Sequence, residues 1–242
     1  VPNYDQYAGG VYSVFKYKLT PELNAEAGLR YDVTKYEVKK WYDLSDWENL
    51  YAKDFSQFYV KPDGNRVFTK PNLTYKNLSF NAGLDYQPSK NLDIKFNYAK
   101  VGRTPNIAEL FADGLHHSAA IIEVGNMGIK NEDGNQFNLN IDGKLNVLDG
   151  LRVTVNPYLF ITKNFITEVP TGIQNTIRGV FPVWSYKQID AKMYGLDVDA
   201  QLELNDHFEY RGNFSYVNGE DQTNDQPLIM MVPTNFTNSL EF

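Results

Sequence analysis

Apolar and polar residues alternate along much of this chain. Between residues 136 and 147, Phe137, Leu139, Ile141, Leu145 and Val147 fall on one face, while Gln136, Asn138, Asn140, Asp142, Lys144 and Asn146 fall on the other. The next segment repeats the pattern, with Leu151, Val153, Val155, Leu159 and Ile161 opposite Arg152, Thr154, Asn156 and Thr162. The same period marks residues 25–33, 78–87, 92–98, 196–204 and 208–216, and a weaker strand runs through Phe15, Tyr17 and Leu19. Successive side chains of a strand point to opposite faces, so this alternation predicts strands with one apolar and one wet face. Eight such strands and the start of a ninth can be traced.

The connections alternate as well. Short turns are expected at residues 20–24, 88–91, 148–150 and 205–206, all rich in Pro, Asn, Asp or Gly, as turn chemistry requires. Between them lie long polar connections at 41–76, 103–133, 164–185 and 219–233. This rhythm predicts an all-β, antiparallel up-and-down transmembrane β-barrel, with tight turns on the periplasmic side and long loops outside the cell. A soluble antiparallel sandwich alternates for the same reason, since one of its faces meets a core. Two features favour the membrane. The strands run for about 10 to 18 residues, against roughly 5 or 6 in soluble proteins. The polar face is dense in Asn, Asp, Lys and Glu, while the apolar face carries almost no charge.

Composition narrows the reading. With 42% hydrophobic residues the chain can bury a core. Yet mean hydropathy is −0.46, and no run approaches the roughly 18 apolar residues of a membrane helix. A barrel escapes that test because its alternation averages out. The absence of cysteine removes disulfides, zinc–thiolate sites and cysteine nucleophiles. A net charge of −7 argues against a nucleic-acid partner, which needs a basic footprint. No nucleophile motif or phosphate-binding glycine loop is present. Asp197, Asp199 and Glu203 share one strand face and read as lumen residues rather than an acid–base pair, which would need a dry pocket. The chain is therefore not expected to be an enzyme, and no cofactor is expected beyond a transported metal or chelate.

Several motifs carry a family resemblance. Gly83-Leu84-Asp85-Tyr86-Gln87-Pro88 precedes Tyr98-Ala99-Lys100-Val101-Gly102-Arg103-Thr104-Pro105-Asn106-Ile107-Ala108-Glu109-Leu110-Phe111. Gly125-Asn126-x-x-Ile129-x-x-Glu132, Tyr194-Gly195-Leu196-Asp197 and Pro227-Leu228 before Val232-Pro233 follow in order, and Ala27-Gly28-Leu29-Arg30-Tyr31-Asp32 lies upstream. This series resembles the barrel of TonB-dependent outer-membrane receptors across most of the chain. The resemblance implies a bacterial outer-membrane barrel of about 22 strands, closed by an N-terminal plug. Such a receptor imports scarce nutrients with energy relayed by the TonB complex. Residues 1–242 are then expected to be a partial barrel without a plug. The plug and the coupling segment would precede Val1, and outer-membrane lipid would surround the strands. The resemblance makes Arg103, Pro105, Glu109, Gly125, Asn126 and Glu132 motif residues, with Arg103 and Glu109 expected to tie a strand end to the base of a loop.

Candidate ligand contacts lie in the long connections. Asp113, His116 and His117, with Glu123 a few residues on, combine imidazole and carboxylate groups that suit zinc, copper, nickel or iron. They are equally able to serve the loop's own hydrogen bonding. His116, Glu123, Gly125 and Asn126, with the 181–191 stretch, also resemble the branch of the family that includes zinc receptors. Trp41, Tyr42 and Trp47, with Tyr51, Phe55, Phe58 and Tyr59, crowd one loop, either to stack on a ligand or to pack on one another. The expected function is energy-coupled import of a scarce metal or metal chelate (siderophore, haem or zinc). A passive porin and a soluble carbohydrate-binding β-domain stand as alternatives.

Overall fold

The computed structural model describes residues 1–43, 47–64, 66–145, 150–205 and 207–242, and only the backbone of Tyr42, Asp43 and Asn49. Strands β1 (Tyr4–Lys18) and β2 (Leu23–Val38) form a hairpin, followed by a loop domain. That loop holds β3 (Trp41–Asp43), helices α1 (Trp47–Leu50) and α2 (Ala52–Phe55), and strands β4 (Tyr59–Asp63) and β5 (Arg66–Thr69). Next come β6 (Asn72–Ser89), β7 (Leu92–Arg103), α3 (Ile107–Phe111), β8 (Asp113–His116), β9 (Ile121–Val124) and β10 (Glu132–Leu145). The last part comprises β11 (Leu151–Thr176), β12 (Gly179–Asn205), β13 (Phe208–Asp221), β14 (Gln226–Pro227) and β15 (Asn235–Glu241).

The long strands pair antiparallel in the order β1-β2-β6-β7-β10-β11-β12-β13, and β15 adds to β13. This is the up-and-down meander expected from the alternation, with eight long strands and the start of a ninth. The sheet stays open, with β1 and β15 at its edges and unpaired to each other. Of the turn expected at 148–150 only Gly150 is described, and Asp206 of the last turn also lies outside the described residues.

Register separates the two faces. Tyr31, Leu78, Tyr98, Phe137 and Leu159 carry one apolar face across the strands, through the pairs Tyr31↔Leu78, Tyr98↔Phe137 and Phe137↔Leu159. The opposite face is laced with ion pairs two residues apart on one strand, which period two makes neighbours: Arg30–Asp32 at 2.7 Å, Lys95–Asp93 at 2.8 Å and Arg211–Glu209 at 2.8 Å. Cross-strand pairs extend this ladder, with Asn213 donating to Asp199 at 2.6 Å and Arg152 to Asp142 at 3.0 Å. Such a face belongs to a wet lumen.

One expectation fails. Residues 164–185 are not a loop but the outer halves of β11 and β12, which pair out to Thr176↔Gly179. At 3.3 Å per residue the 14 residues from Lys163 to Thr176 project about 45 Å. Their alternation is hidden because bulges between Thr162 and Phe165 and between Pro170 and Gly172 each shift the register. An extra residue moves the following side chains to the other face. Strand β9 pairs parallel with this hairpin, Glu123 opposite Trp184, and β8 pairs with β9.

The buried core sits on the lumen side of the long-loop end, not within the strands' middle. Tyr36, Leu73, Trp47, Tyr51, Leu110, Phe111, Met127, Ile129 and Ile166 form one cluster. The loops thus fill the barrel mouth with their own apolar side chains.

Candidate functional site

The motif residues converge at the end of β7. The Arg103 guanidinium donates twice to Glu132 at 2.7 Å and reaches both carboxylate oxygens of Glu109, at 2.9 and 3.1 Å. Glu109 also accepts the Asn106 backbone N–H at 2.7 Å, while the Asn106 side chain accepts from Ala108 and Glu109. This reciprocal capping box starts α3 and satisfies otherwise orphaned amides. Glu132 accepts the Ile166 N–H at 2.8 Å, which adds β11 to the cluster. Arg103, with Glu109 and Glu132, therefore links β7, α3, β10 and β11. Pro105 is fully buried, and its carbonyl accepts the Tyr36 hydroxyl at 3.0 Å.

Gly125 and Asn126 close the loop beneath α3. The Gly125 N–H donates to the Ala112 carbonyl at 2.7 Å, and the Asn126 N–H to that of Glu109 at 2.9 Å. A Cβ on Gly125 would lie 2.6 Å from the backbone nitrogens of Phe111 and Ala112, so only glycine allows this approach. The Asn126 side chain accepts the Gly128 N–H at 2.8 Å.

The predicted ligand residues are placed as follows. His116 Nδ1 lies 2.6 Å from Glu123 Oε1, and Ser118 Oγ lies 3.1 Å from His116 Nε2. The β8–β9 hairpin therefore brings His116 and Glu123 together. His117 does not join them, since its Nε2 stands 3.5 Å from the Arg178 guanidinium at the tip of the β11–β12 hairpin. Among the described residues no three His, Cys, Asp or Glu side chains converge as a metal cage. Asp113 is exposed at the opening of a cleft. Trp41 packs edge-on to Phe111 at 5.0 Å and against Tyr51 at 6.4 Å. Trp47 is buried against Tyr51 and Tyr59. Tyr42 pairs with Phe68 in β5, and its side chain lies outside what is described.

The cleft, of about 830 Å³, lies between the aromatic loop, the segment after β9 and the inner part of the projecting hairpin. Trp41, Tyr51, Phe55 and Tyr186 give it aromatic walls, and Lys130 and Lys187 line it together with Asp54 and Asp113. Sequence reasoning gave no ligand role to Tyr186, Lys187 or Lys130, because the hairpin that supplies two of them reads as a polar loop. Gln188 fixes this wall: its amide donates to the Lys130 and Asn164 carbonyls at 2.9 and 2.8 Å and accepts the Lys130 N–H at 2.9 Å. Burial, and then the facing carboxylate of Glu168, hold the Tyr186 phenol above its ordinary pKa. It is therefore a neutral hydrogen-bonding group at physiological pH.

Comparison with known proteins places this mouth in context. A family profile described as TonB dependent receptor-like, beta-barrel, matches residues 1–241. No curated protein sequence matches the chain. Among solved structures, the copper transporter OprC is similar, with a TM-score of 0.72 at 14% identity, over 98% of this chain and 33% of that one. The Serratia marcescens hemophore receptor HasR, solved with its hemophore and heme, aligns with a TM-score of 0.57 at 18% identity, over 88% and 34% of the two chains. The Pseudomonas aeruginosa ferripyoverdine receptor, solved with ferripyoverdine, aligns with a TM-score of 0.55 at 16% identity, over 98% and 26%. The chain thus spans about a third or less of these proteins' length. Together the profile and the meander establish that this chain belongs to the β-barrel of the TonB-dependent receptors, a family of bacterial outer-membrane receptors and transporters rather than enzymes.

Proposed function

We propose that the protein containing this chain captures a metal chelate at the barrel mouth and imports it with energy relayed through TonB. A plug domain and the TonB-coupling segment would lie in the rest of the protein. The carrying observation is the cleft at the long-loop end. Its volume of about 830 Å³ lies in the range of small-molecule sites, roughly 300–1,000 Å³, and is far larger than one ion requires. The aromatic walls suit a flat chelate held by stacking, and Lys130 and Lys187, which share the cleft with Asp54 and Asp113, would give charge-assisted hydrogen bonds to its acidic groups. The solved relatives include proteins described with copper, with heme and with an iron siderophore, which supports a metal-bearing cargo.

A second reading is supported by His116 and Glu123, 2.6 Å apart on the β8–β9 hairpin. A divalent cation such as zinc would take both as ligands once the pair opened to about 3.3 Å, with other parts of the receptor completing the set. The two readings separate cleanly in the full-length receptor. Lys187→Ala with Tyr186→Ala is expected to weaken binding of ferric chelates at least tenfold, while His116→Ala with Glu123→Ala leaves it unchanged. The reverse outcome, with zinc as the probe, would favour the bare ion and sink the chelate reading.

A further inference from the structure

Tyr186, Gln188 and Asp190 lie two residues apart on one face of β12. Tyr186 lines the cleft, and Gln188 is the next side chain on that face toward the membrane strands. The Gln188 amide accepts the Lys130 N–H at 2.9 Å and donates to the Lys130 carbonyl at 2.9 Å. It thereby pairs with both peptide groups of one residue, as a neighbouring strand would. It also donates to the Asn164 carbonyl at 2.8 Å, so both donors of the amide are used.

The base of this clamp is fixed. Asn164 sits in a bulge of β11 at φ 54°, a left-handed conformation that few non-glycine residues adopt. Its N–H donates to Asp190 at 3.2 Å, so Gln188 and Asp190 hold the bulge residue by its two peptide groups. Asp190 is tied in turn through its own N–H, which donates to Thr223 at 2.7 Å. Lys130 is held differently. Its neighbours are anchored to β6, the Ile129 carbonyl accepting the Tyr75 hydroxyl at 3.1 Å and the Asn131 amide donating to the Lys76 carbonyl at 2.8 Å. The peptide groups of Lys130 itself bond only to Gln188 among the described residues. Lys130 is exposed, makes no ion pair among those residues and lines the cleft.

We propose that Gln188 is a positioning residue for the cargo: it holds Lys130 at the cleft so that the site favours flat chelates with a carboxylate free of the metal. The proposal rests on capture of a chelate in this cleft. A lysine on a free loop must give up backbone and rotamer freedom when it binds an anion, and that cost cancels much of the charge-assisted bond. With its peptide groups already fixed, Lys130 gives up less. Asp54 and Asp113 line the same cleft from α2 and β8, and Gln188 bonds to neither. Releasing Lys130 therefore leaves those carboxylates in place and tips the site against anions.

The test uses the full-length receptor in detergent and two flat probes: haemin, whose two propionates stand clear of the iron, and its uncharged dimethyl ester. Absorbance titration against a receptor-free blank reads both. Wild type is expected to prefer haemin. Gln188→Met, equal in length but without the amide, should weaken haemin binding about fivefold and leave the ester unchanged. Lys130→Ala should do the same, and the double variant should lose no more than Lys130→Ala alone, because one residue acts through the other. Gln188→Asn, whose amide falls short of Lys130, gives the same reading if the Met variant loses its heat-modifiable migration. Equal losses for the two probes would show a merely structural role, and additive losses would show that Gln188 does not act through Lys130. Either result overturns the proposal, as does a wild type that binds both probes equally. A wild type that binds neither overturns chelate capture in the cleft and this inference with it.

Discussion

On the barrel wall, Arg30 reaches Asp32 two residues along its own strand, and both groups remain in water. At the mouth, Arg103 reaches Glu109 and Glu132 on two different elements, and those carboxylates are only 10% and 11% exposed. The first pair repeats with small variations along the lumen, so no single copy decides the structure. The second has no counterpart among the described residues: Arg103 bridges Glu109 and Glu132, and Glu132 in turn accepts the Ile166 N–H, so four elements meet around one ion-pair cluster. The wall is specified by a pattern that many residues share, whereas the mouth is specified by particular side chains with particular neighbours. Cargo capture is assigned to the second kind of structure, where a cleft can be shaped.

Substitutions should expose that asymmetry. The largest effect is expected from Phe111→Ala, which removes a fully buried ring packed on Trp41. It should destabilise the mouth by about 4 kcal/mol, read as faster hydrogen exchange across residues 105–131, while the membrane strands keep their protection. Arg103→Ala should follow at about 3 kcal/mol, because it strands two nearly buried carboxylates. Loss of protection in the wall to the same degree would mean that the two regions are not separable. Asn106→Ala removes the cap of α3 and should cost about 1 kcal/mol, confined to exchange at residues 107–112.

The pH response provides a smaller test. Asp221 is buried, which alone would raise its pKa. Hydrogen bonds from the Asn224 side chain and backbone, Gln226 and Thr223 outweigh that and hold it below the ordinary carboxylate value. Its contribution is then fully present above the unfolded value, near pH 4, and is lost as pH falls through the folded value. Exchange in the 222–227 turn should therefore quicken on acidification below about pH 4, and Asp221→Asn should abolish the response. The smallest effect belongs to the wall, where Arg30→Gln should leave thermal unfolding in detergent unchanged.

The sequence made the wall legible and the mouth only partly so. A period of two is local, so Phe137, Leu139 and Ile141 declare their strand without reference to anything distant. The Arg103–Glu109 tie was visible because a resemblance supplied it. The need for glycine at position 125 had no visible reason until α3 was seen packed against it. The projecting hairpin was missed because the bulges at Thr162/Phe165 and Pro170/Gly172 break the period that would have revealed it. With it went Tyr186 and Lys187. Their place in the cleft depends on contacts with residues more than 50 positions away, such as Gln188 with Lys130, which no local pattern encodes.

The most direct test of the central claim is hydrogen–deuterium exchange of the full-length receptor with and without a saturating ferric chelate that it is shown to import. Capture in the cleft predicts added protection at residues 51–55, 112–113, 124–130 and 185–187 together, with the membrane strands unchanged. Protection confined to other loops, with these four segments unaffected, would contradict it.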